Sequence, residues 1–186
     1  MLGNASHAEA RDYDRYDPTR LYGGVWLGFG GDIEVDGLGD VGDLGKTIGG
    51  QVGVDYRFMR MLSLGAEVRI GGFDVDNRFD DRNRLIDLDF KPRFYLPLHA
   101  PVEIYAAVPI GLTIPRLSDV DGRGPDANVG WNVGVGPGIN VFFSHGFGIN
   151  VEPMWMFHHF SYDASVANGD ITVKQFAIMI NLLFGL

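Results

Sequence analysis

From Leu21 to the C-terminus, apolar residues alternate with polar residues or glycine, which is the period of a half-buried β-strand. The fourth segment shows the pattern most clearly, because Ile86, Leu88 and Phe90 alternate with Asp87 and Asp89. Eight such segments follow one another: residues 21–30, 47–58, 62–72, 85–96, 102–114, 129–143, 147–158 and 175–186. No segment has the period of an amphipathic helix, so the pattern predicts an all-β fold.

The connections between these segments alternate in length. Three are short: residues 59–61, 97–101 and 144–146. Four are long and acidic: residues 34–46, 73–84, 116–127 and 159–170. Transmembrane β-barrels have short turns at one end and long loops at the other. The pattern therefore predicts an eight-stranded antiparallel up-and-down transmembrane β-barrel with both chain ends on the short-turn side.

The composition of the two strand faces indicates which face points outward. A soluble barrel turns its apolar face inward, whereas a transmembrane barrel turns that face toward lipid. The polar face is rich in Gly and Asn, which are costly on a solvent-facing strand but fit inside a narrow barrel. Aromatic residues of the apolar face are predicted to lie at the membrane interfaces: Tyr56, Phe58, Phe94, Phe143, Phe147, Trp155 and Phe184. We therefore predict that the apolar face contacts lipid.

Composition excludes several other classes of protein. The formal charge of the 186 residues is −9, and the basic residues form no cluster of the kind that nucleic acid requires. The chain has no Cys, so a disulfide framework or a thiolate metal site is excluded. We predict no cofactor.

The N-terminal residues 1–20 are polar and precede the predicted barrel domain, residues 21–186. Within them, Ala8-Glu9-Ala10 fits the small-x-small pattern that precedes a signal cleavage site. Two interpretations stay open: residues 1–10 are the remnant of a signal or leader, or they are a polar tail.

Four prolines, Pro92, Pro109, Pro137 and Pro153, fall inside predicted strands. Proline removes a ladder hydrogen bond, and a closed barrel has no edge on which to place it. We expect bulges or missing ladder bonds at these positions.

In pattern and length, the chain from Leu21 to Leu186 resembles the small eight-stranded outer-membrane barrels of the OmpA/OmpX type. Members of that family commonly end in an aromatic residue, whereas this chain ends Phe184-Gly185-Leu186. The resemblance implies a non-enzymatic protein of the bacterial outer membrane. We expect it to anchor there and to display acidic external loops for envelope stability or partner binding. Its expected partners are outer-membrane lipids, lipopolysaccharide and an envelope protein.

Charged residues lie on the polar face of neighbouring predicted strands: Asp55, Arg57, Glu67, Arg69, Asp87, Asp89, Lys91, Arg93, Glu103 and Glu152. Isolated charges in a narrow lumen are strongly disfavoured, so ion pairing is predicted. Eight strands leave little interior space, which favours a salt-bridged plug. The alternative is a narrow porin-like channel for ions or small solutes. Its constriction would contain Glu67, Arg69, Lys91, Arg93 and Glu152.

His159 and Ser161 form a His-x-Ser pair on the outer face, at the long-loop end of the seventh segment. The pair resembles that of the outer-membrane lipid A deacylases, which implies acyl hydrolysis with His159 activating Ser161. Two features depart from that family. Tyr162 occupies the position of an expected Asn, and the last segment lacks the expected acidic partner. Ordinary polar residues at a membrane interface are the simpler interpretation.

The predicted loop at Asp119-Val120-Asp121-Gly122 is similar to part of a calcium-binding loop. The remaining ligand positions of such a loop are not filled, so we predict no specific metal site. Acidic loops of this kind are expected to contact lipopolysaccharide phosphates unspecifically, through Ca²⁺ or Mg²⁺.

Overall fold

The computed structural model describes residues 18–37, 39–75, 83–96, 101–116, 126–144, 146–163 and 168–186. The regular elements in these ranges are β-strands: β1 (Thr19–Val35), β2 (Gly39–Met59), β3 (Leu62–Val75), β4 (Arg84–Tyr95), β5 (Val102–Ala107), β6 (Ile110–Arg116), β7 (Asp126–Ala127), β8 (Gly130–Ser144), β9 (Phe147–Asp163) and β10 (Asn168–Gly185). None of the described residues belongs to a helix long and apolar enough to cross a membrane. The predicted N-terminal segment lies outside the described residues as far as residue 17.

The strands pair antiparallel with their sequence neighbours and close into a ring. β10 pairs with β1, from Arg20 opposite Gly185 to Val35 opposite Ile171. β5 and β6 together form one barrel strand, interrupted at residues 108–109, because both pair with β4 and β8. β7 precedes β8 and pairs with the end of β9. The described residues therefore form an eight-stranded up-and-down barrel, which confirms the predicted fold.

The outward-facing side chains along the middle of the wall are mostly apolar, and the inward-facing side chains are mostly polar. Along β2, Ile48 and Val52 are 56% and 63% exposed, whereas Gln51 and Asp55 are 3% and 2% exposed. Such a wall leaves a large apolar area in contact with the surroundings, which is unfavourable in water and suits hydrocarbon. The predicted outward direction of the apolar face is confirmed.

At the long-loop end the strands continue beyond the range of their apolar pattern. Two ranges predicted to be loops, residues 34–46 and 159–170, are mostly strand and belong to β1, β2, β9 and β10. Ladder hydrogen bonds need only backbone partners, so pairing continues where the outward residues become polar. The prediction of long irregular loops at these two positions is wrong.

The four prolines leave the register of the ladder unchanged. β5 and β6, on either side of Pro109, keep one register with β4. Pro92 pairs with Leu64 in an unbroken series. Pro137 and Pro153 lie opposite each other in β8 and β9, between paired residues whose register does not shift. The expected interruptions are therefore found at Pro109 and where Pro137 lies opposite Pro153, since the β8–β9 ladder has no pair between Val135 and Ile139. No bulge accompanies any of the four prolines in the described strands.

The register of β1 against β10 shifts between Gly28 and Gly31. Gly30 has a φ of 65°, a conformation that favours glycine. A Cβ at Gly31 would lie 2.0 Å from the carbonyl oxygen of Lys174, so the close approach of the two strands requires glycine there as well. This bulge marks the height at which the outward residues of β1 change from apolar to acidic.

Candidate functional site

The register between strands decides which of the inward-facing charges meet. On β3 and β4, Glu67 lies opposite Asp89, and Arg69 lies opposite Asp87. Long side chains also reach diagonal neighbours, two positions along the facing strand. Lys91, two residues beyond Asp89, therefore reaches Glu67, and Arg69 reaches Asp89.

Lys91 lies at the centre of the interior and binds two carboxylates. Its Nζ donates to Glu67 Oε2 at 2.8 Å and to Glu152 Oε2 at 2.6 Å. The hydroxyl of Tyr22 donates to Glu67 at 2.9 Å, and that of Tyr105 donates to Glu152 at 2.5 Å. The side chains of Lys91, Glu67 and Glu152 are fully shielded from solvent. The centre of the barrel is therefore a packed polar cluster.

Nearer the short-turn end, Glu103 binds two arginines. Arg20 Nη1 lies 2.7 Å from Glu103 Oε2, and Arg57 Nη1 lies 2.5 Å from Glu103 Oε1. Arg93 lies beside this group, with its Nη1 2.7 Å from Asp55 Oδ1. Glu103 retains 18% side-chain exposure, so solvent reaches this layer of the interior most easily.

Toward the long-loop end, Arg69 and His158 share Asp87. Arg69 Nη2 lies 2.5 Å from Asp89 Oδ2 and 3.3 Å from Asp87 Oδ2. His158 Nε2 lies 3.1 Å from Asp87 Oδ2, and Thr113 donates to Asp87 Oδ1 at 2.6 Å. The paired side chains of Arg69, Asp87 and His158 are fully buried.

An apolar layer covers the charge network at the long-loop end. We call it the apolar cap; its residues are Leu44, Phe73, Leu85, Phe160 and Val173, none more than 3% exposed. Partly buried Ile33 and Ile171 pack against it. Three residues of the cap, Leu44, Phe73 and Phe160, fall in ranges predicted to be loops, so sequence reasoning missed this layer.

The network is close to charge balance. Five cations, Arg20, Arg57, Arg69, Lys91 and Arg93, pair with six carboxylates, Asp55, Glu67, Asp87, Asp89, Glu103 and Glu152. Buried ion pairs add little net stability, but the loss of one partner leaves an uncompensated charge and is strongly destabilising. An ion that crossed this interior would have to break such pairs and then enter the apolar cap.

All ten lumen residues predicted from the sequence lie in this one network. Whether they act as a plug or as a channel constriction stays a prediction. Sequence reasoning left out Arg20, which it assigned to the N-terminal segment, and also left out Tyr22, Tyr105 and His158. Arg20 lies two residues before the inward-facing Tyr22 and therefore on the same face of the strand. This alternation is the feature of the sequence that could have identified Arg20 as a lumen residue.

Six of the seven predicted interfacial aromatic residues lie at the short-turn end of the outer surface: Tyr56, Phe58, Phe94, Phe143, Phe147 and Phe184. Phe147 packs against Phe143 and Phe184, with ring centroids 6.2 Å and 5.5 Å apart. Trp155 lies further along β9 and packs against Phe176, with centroids 5.0 Å apart, so it stands apart from this group. Their contact with the membrane interface stays a prediction.

His159 and Ser161 bond to β10 and not to each other in the described structure. His159 Nδ1 lies 3.1 Å from Thr172 Oγ1, and its ring packs against Trp131 with centroids 5.5 Å apart. Ser161 donates to Asp170 Oδ1 at 2.8 Å. A serine nucleophile is activated by a base within hydrogen-bonding reach, and this pair lacks that bond.

Among the described residues, no group of three or more His, Asp or Glu side chains is arranged to hold a metal ion. The partial calcium loop at residues 119–122 lies outside the described residues. The unspecific contact of acidic loops with divalent cations stays a prediction.

Comparison with solved structures places the fold among small outer-membrane barrels. OprG from Pseudomonas aeruginosa is 13% identical with a TM-score of 0.60, over 89% of this chain and 94% of OprG. Neisserial surface protein A (NspA) is 9% identical with a TM-score of 0.62, over 91% of this chain and 97% of NspA. AlkL is 12% identical with a TM-score of 0.56, over 92% of this chain and 93% of AlkL. At these identities the likeness shows the fold alone.

Comparison at the level of sequence assigns the family. No curated protein sequence matches the chain. A family model described as the outer membrane protein beta-barrel domain matches residues 2–184, which is nearly the whole chain. The closed ring of strands and the outward apolar face agree with that match. The chain therefore belongs to the outer membrane protein β-barrel domain family, and its location is the bacterial outer membrane.

Proposed function

We propose that this protein is a non-enzymatic outer-membrane anchor whose lumen does not conduct and whose extended strands present an acidic external rim. One observation carries the proposal: Arg69, Lys91 and Glu152 are completely buried beneath the apolar cap. A pore needs a continuous hydrated path, and these side chains occupy the space that such a path would use.

The rim that the anchor would display is built on the extended ends of β1 and β10. Asp32 is exposed there, Glu34 and Asp170 are half-buried, and Lys174 pairs with Glu34 at 2.5 Å. Acidic side chains on paired strands suit two kinds of partner. One is lipopolysaccharide phosphate bridged by Ca²⁺ or Mg²⁺, and the other is a basic patch on an envelope protein. Either contact would help to hold the barrel in the envelope and would require no catalytic activity on its outer surface.

The two other functions predicted from the sequence receive less support. A narrow channel would need water along Arg69 and Lys91, which are 0% exposed. A lipid A hydrolase would need His159 beside Ser161, and both side chains have other partners on β10.

Planar-bilayer recording tests the proposal. We expect the refolded wild-type barrel to produce no discrete conductance steps at either polarity, because the packed interior excludes a hydrated path. The control is the same preparation on a gel, where unboiled and boiled samples should differ in mobility if the barrel is folded. Reproducible steps that grow with salt concentration would refute the closed lumen and establish the narrow-channel alternative.

A further inference from the structure

One layer of the interior, near the long-loop end, carries more negative than positive charge. We call it the acidic layer; its charged residues are Arg69, Asp87 and Asp89. Arg69 Nη2 lies 2.5 Å from Asp89 Oδ2 and 3.3 Å from Asp87 Oδ2, so one guanidinium serves two carboxylates. The network as a whole shows the same imbalance, with five cations against six carboxylates. A buried carboxylate without a compensating charge is strongly unfavourable, so this layer lacks one positive charge.

His158 places a titratable ring against the acidic layer. Its Nε2 lies 3.1 Å from Asp87 Oδ2, and its side chain is completely buried. Thr113 donates to the other oxygen of the same carboxylate at 2.6 Å and thereby fixes its orientation. An ionised carboxylate only accepts hydrogen bonds, so the imidazole donates through Nε2. A proton on the ring would add a positive charge to this bond and supply the charge that the layer lacks.

The elements packed around His158 differ in the charges that they bring. Asn132 of β8 and Val173 of β10, its paired neighbours, carry no charge. β6 contributes the neutral Thr113. The charged side chains that face this part of the lumen come from β3 and β4: Glu67, Arg69, Asp87 and Asp89. Acidic groups therefore outnumber basic ones on the side that the ring faces, and unlike charges would hold a proton there.

The hydrogen-bond partners of the ring support the same conclusion. In the described structure Nδ1 of His158 has no partner, and neither has Oδ1 of Asn132, the residue opposite it on β8. The neutral ring, which donates through Nε2, leaves Nδ1 as an acceptor, and two acceptors cannot bond to each other. Protonation makes Nδ1 a donor, with an unpaired acceptor on the neighbouring strand. One proton would therefore improve both the charge balance and the hydrogen-bond balance of this layer.

His158 also lies directly beneath the apolar cap. Val173 of the cap is paired with it across β9 and β10, and Phe160 of the cap is the next inward-facing residue of β9. The ion pair at His158 and the cap are therefore carried by the same two strands.

We propose that His158 is a proton-binding site of the closed barrel, whose imidazolium completes the charge balance of the acidic layer and stabilises the long-loop end in mildly acidic surroundings. The proton comes from solvent, and each barrel takes up one. Proton binding at His158 concerns the stability of the closed barrel and is independent of its function as an anchor.

Urea unfolding from phosphatidylcholine vesicles, measured between about pH 6 and about pH 8, tests the proposal, because histidine titrates in this range. The folded barrel holds a proton that the unfolded chain releases as the pH rises, so stability falls with increasing pH. We expect the unfolding equilibrium constant of the wild type to rise roughly tenfold over this range and that of His158→Gln to change less than about twofold. His159→Gln is the matched control, because His159 is half-buried on the outer surface and should leave the wild-type pH dependence intact.

Nitrogen-15 NMR of the wild-type barrel, labelled at histidine, makes the test independent of the folding of any variant. We expect one slowly exchanging imidazole with protons on both ring nitrogens at about pH 6, and loss of one of these protons as the pH is raised.

Each contrary result identifies what is wrong. Equal pH dependence in the wild type and in His158→Gln would overturn the assignment to His158, and loss of that dependence in Asp89→Asn would place the proton on a carboxylate instead. A wild type whose stability does not change over this range would overturn the proton site altogether, as would a neutral ring of His158 at about pH 6. None of these results bears on conductance, so the closed lumen is tested separately.

Discussion

Replacing Lys91 by methionine will lower the free energy of unfolding of the barrel by about 3–5 kcal/mol. Methionine keeps a side chain of similar length but removes the cation that Glu67 and Glu152 share. Glu67 then loses its shortest ion pair while it stays buried, and the one ion pair left to Glu152 is its 3.3 Å contact with Arg93. Urea unfolding from lipid vesicles, followed by tryptophan fluorescence, measures the loss.

Lys46→Met is the matched control, because Lys46 is exposed on the same barrel. Its effect should stay within about 0.5 kcal/mol. Adding Glu67→Gln to Lys91→Met should recover part of the lost stability, since it removes one of the two buried carboxylates that have lost the lysine. Similar small losses in Lys91→Met and Lys46→Met would contradict a dry, ion-paired interior.

Replacing Ile180 by arginine will cost about 2–4 kcal/mol of unfolding free energy. Ile180 is 41% exposed on the outer wall and lies midway between the outward-facing Phe184 and Phe176 of β10. A charge at this height is placed near the middle of the hydrocarbon, where it has no aqueous partner. The same urea titration in vesicles detects the change.

The end of the same chain provides the comparison for that substitution. Leu186→Arg places the same side chain just beyond β10 at the short-turn boundary, where the cost should be about 0–1 kcal/mol. A larger loss of unfolding free energy at Ile180 than at Leu186 is expected if this wall faces lipid, because the cost of a charge rises with its depth in the hydrocarbon. Equal costs for Ile180→Arg and Leu186→Arg would contradict the assignment of this surface to lipid.

The barrel itself was predictable because the alternation of apolar and polar side chains follows from the position of each strand between lipid and the lumen. A strand between lipid and a polar lumen must be apolar at every second residue, as Ile86, Leu88 and Phe90 are on β4. The prolines did not disturb this prediction, since a missing ladder bond at Pro109 leaves the pairing of β5 and β6 in register. Local backbone defects are tolerated where flanking pairs hold the strands.

The apolar cap was not predictable in the same way, because an apolar outer face and a polar inner face are expected only where the strand is surrounded by lipid. On β10, the apolar residues face outward at Phe176 and Ile178 but inward at Val173 and Ile171. The same residues of the strand continue to face inward, but the apolar face changes from the outer to the inner one where the outer surface meets water and the interior forms an apolar core. Reading that reversal as the end of a strand produced the predicted loops, whereas reading it as a change of environment would have found the cap.

The individual ion pairs also lay beyond the sequence. Composition and phase predicted that the inward charges would pair, but the partners depend on register and on contacts across the lumen. Lys91 meets Glu67 through the β3–β4 register, whereas Glu152 reaches it from β9, 61 residues away in the chain. No local pattern encodes a contact across the interior.

The most direct test of a filled, dry lumen is cysteine accessibility, because the chain has no native Cys. Met154→Cys places a thiol at a position that is 0% exposed inside the barrel, and Met61→Cys places one at an exposed short turn. A small, charged thiol reagent should label Met61→Cys completely in the folded barrel and should label Met154→Cys only after unfolding. Equal labelling of both variants in the folded state would show water in the lumen and contradict the account.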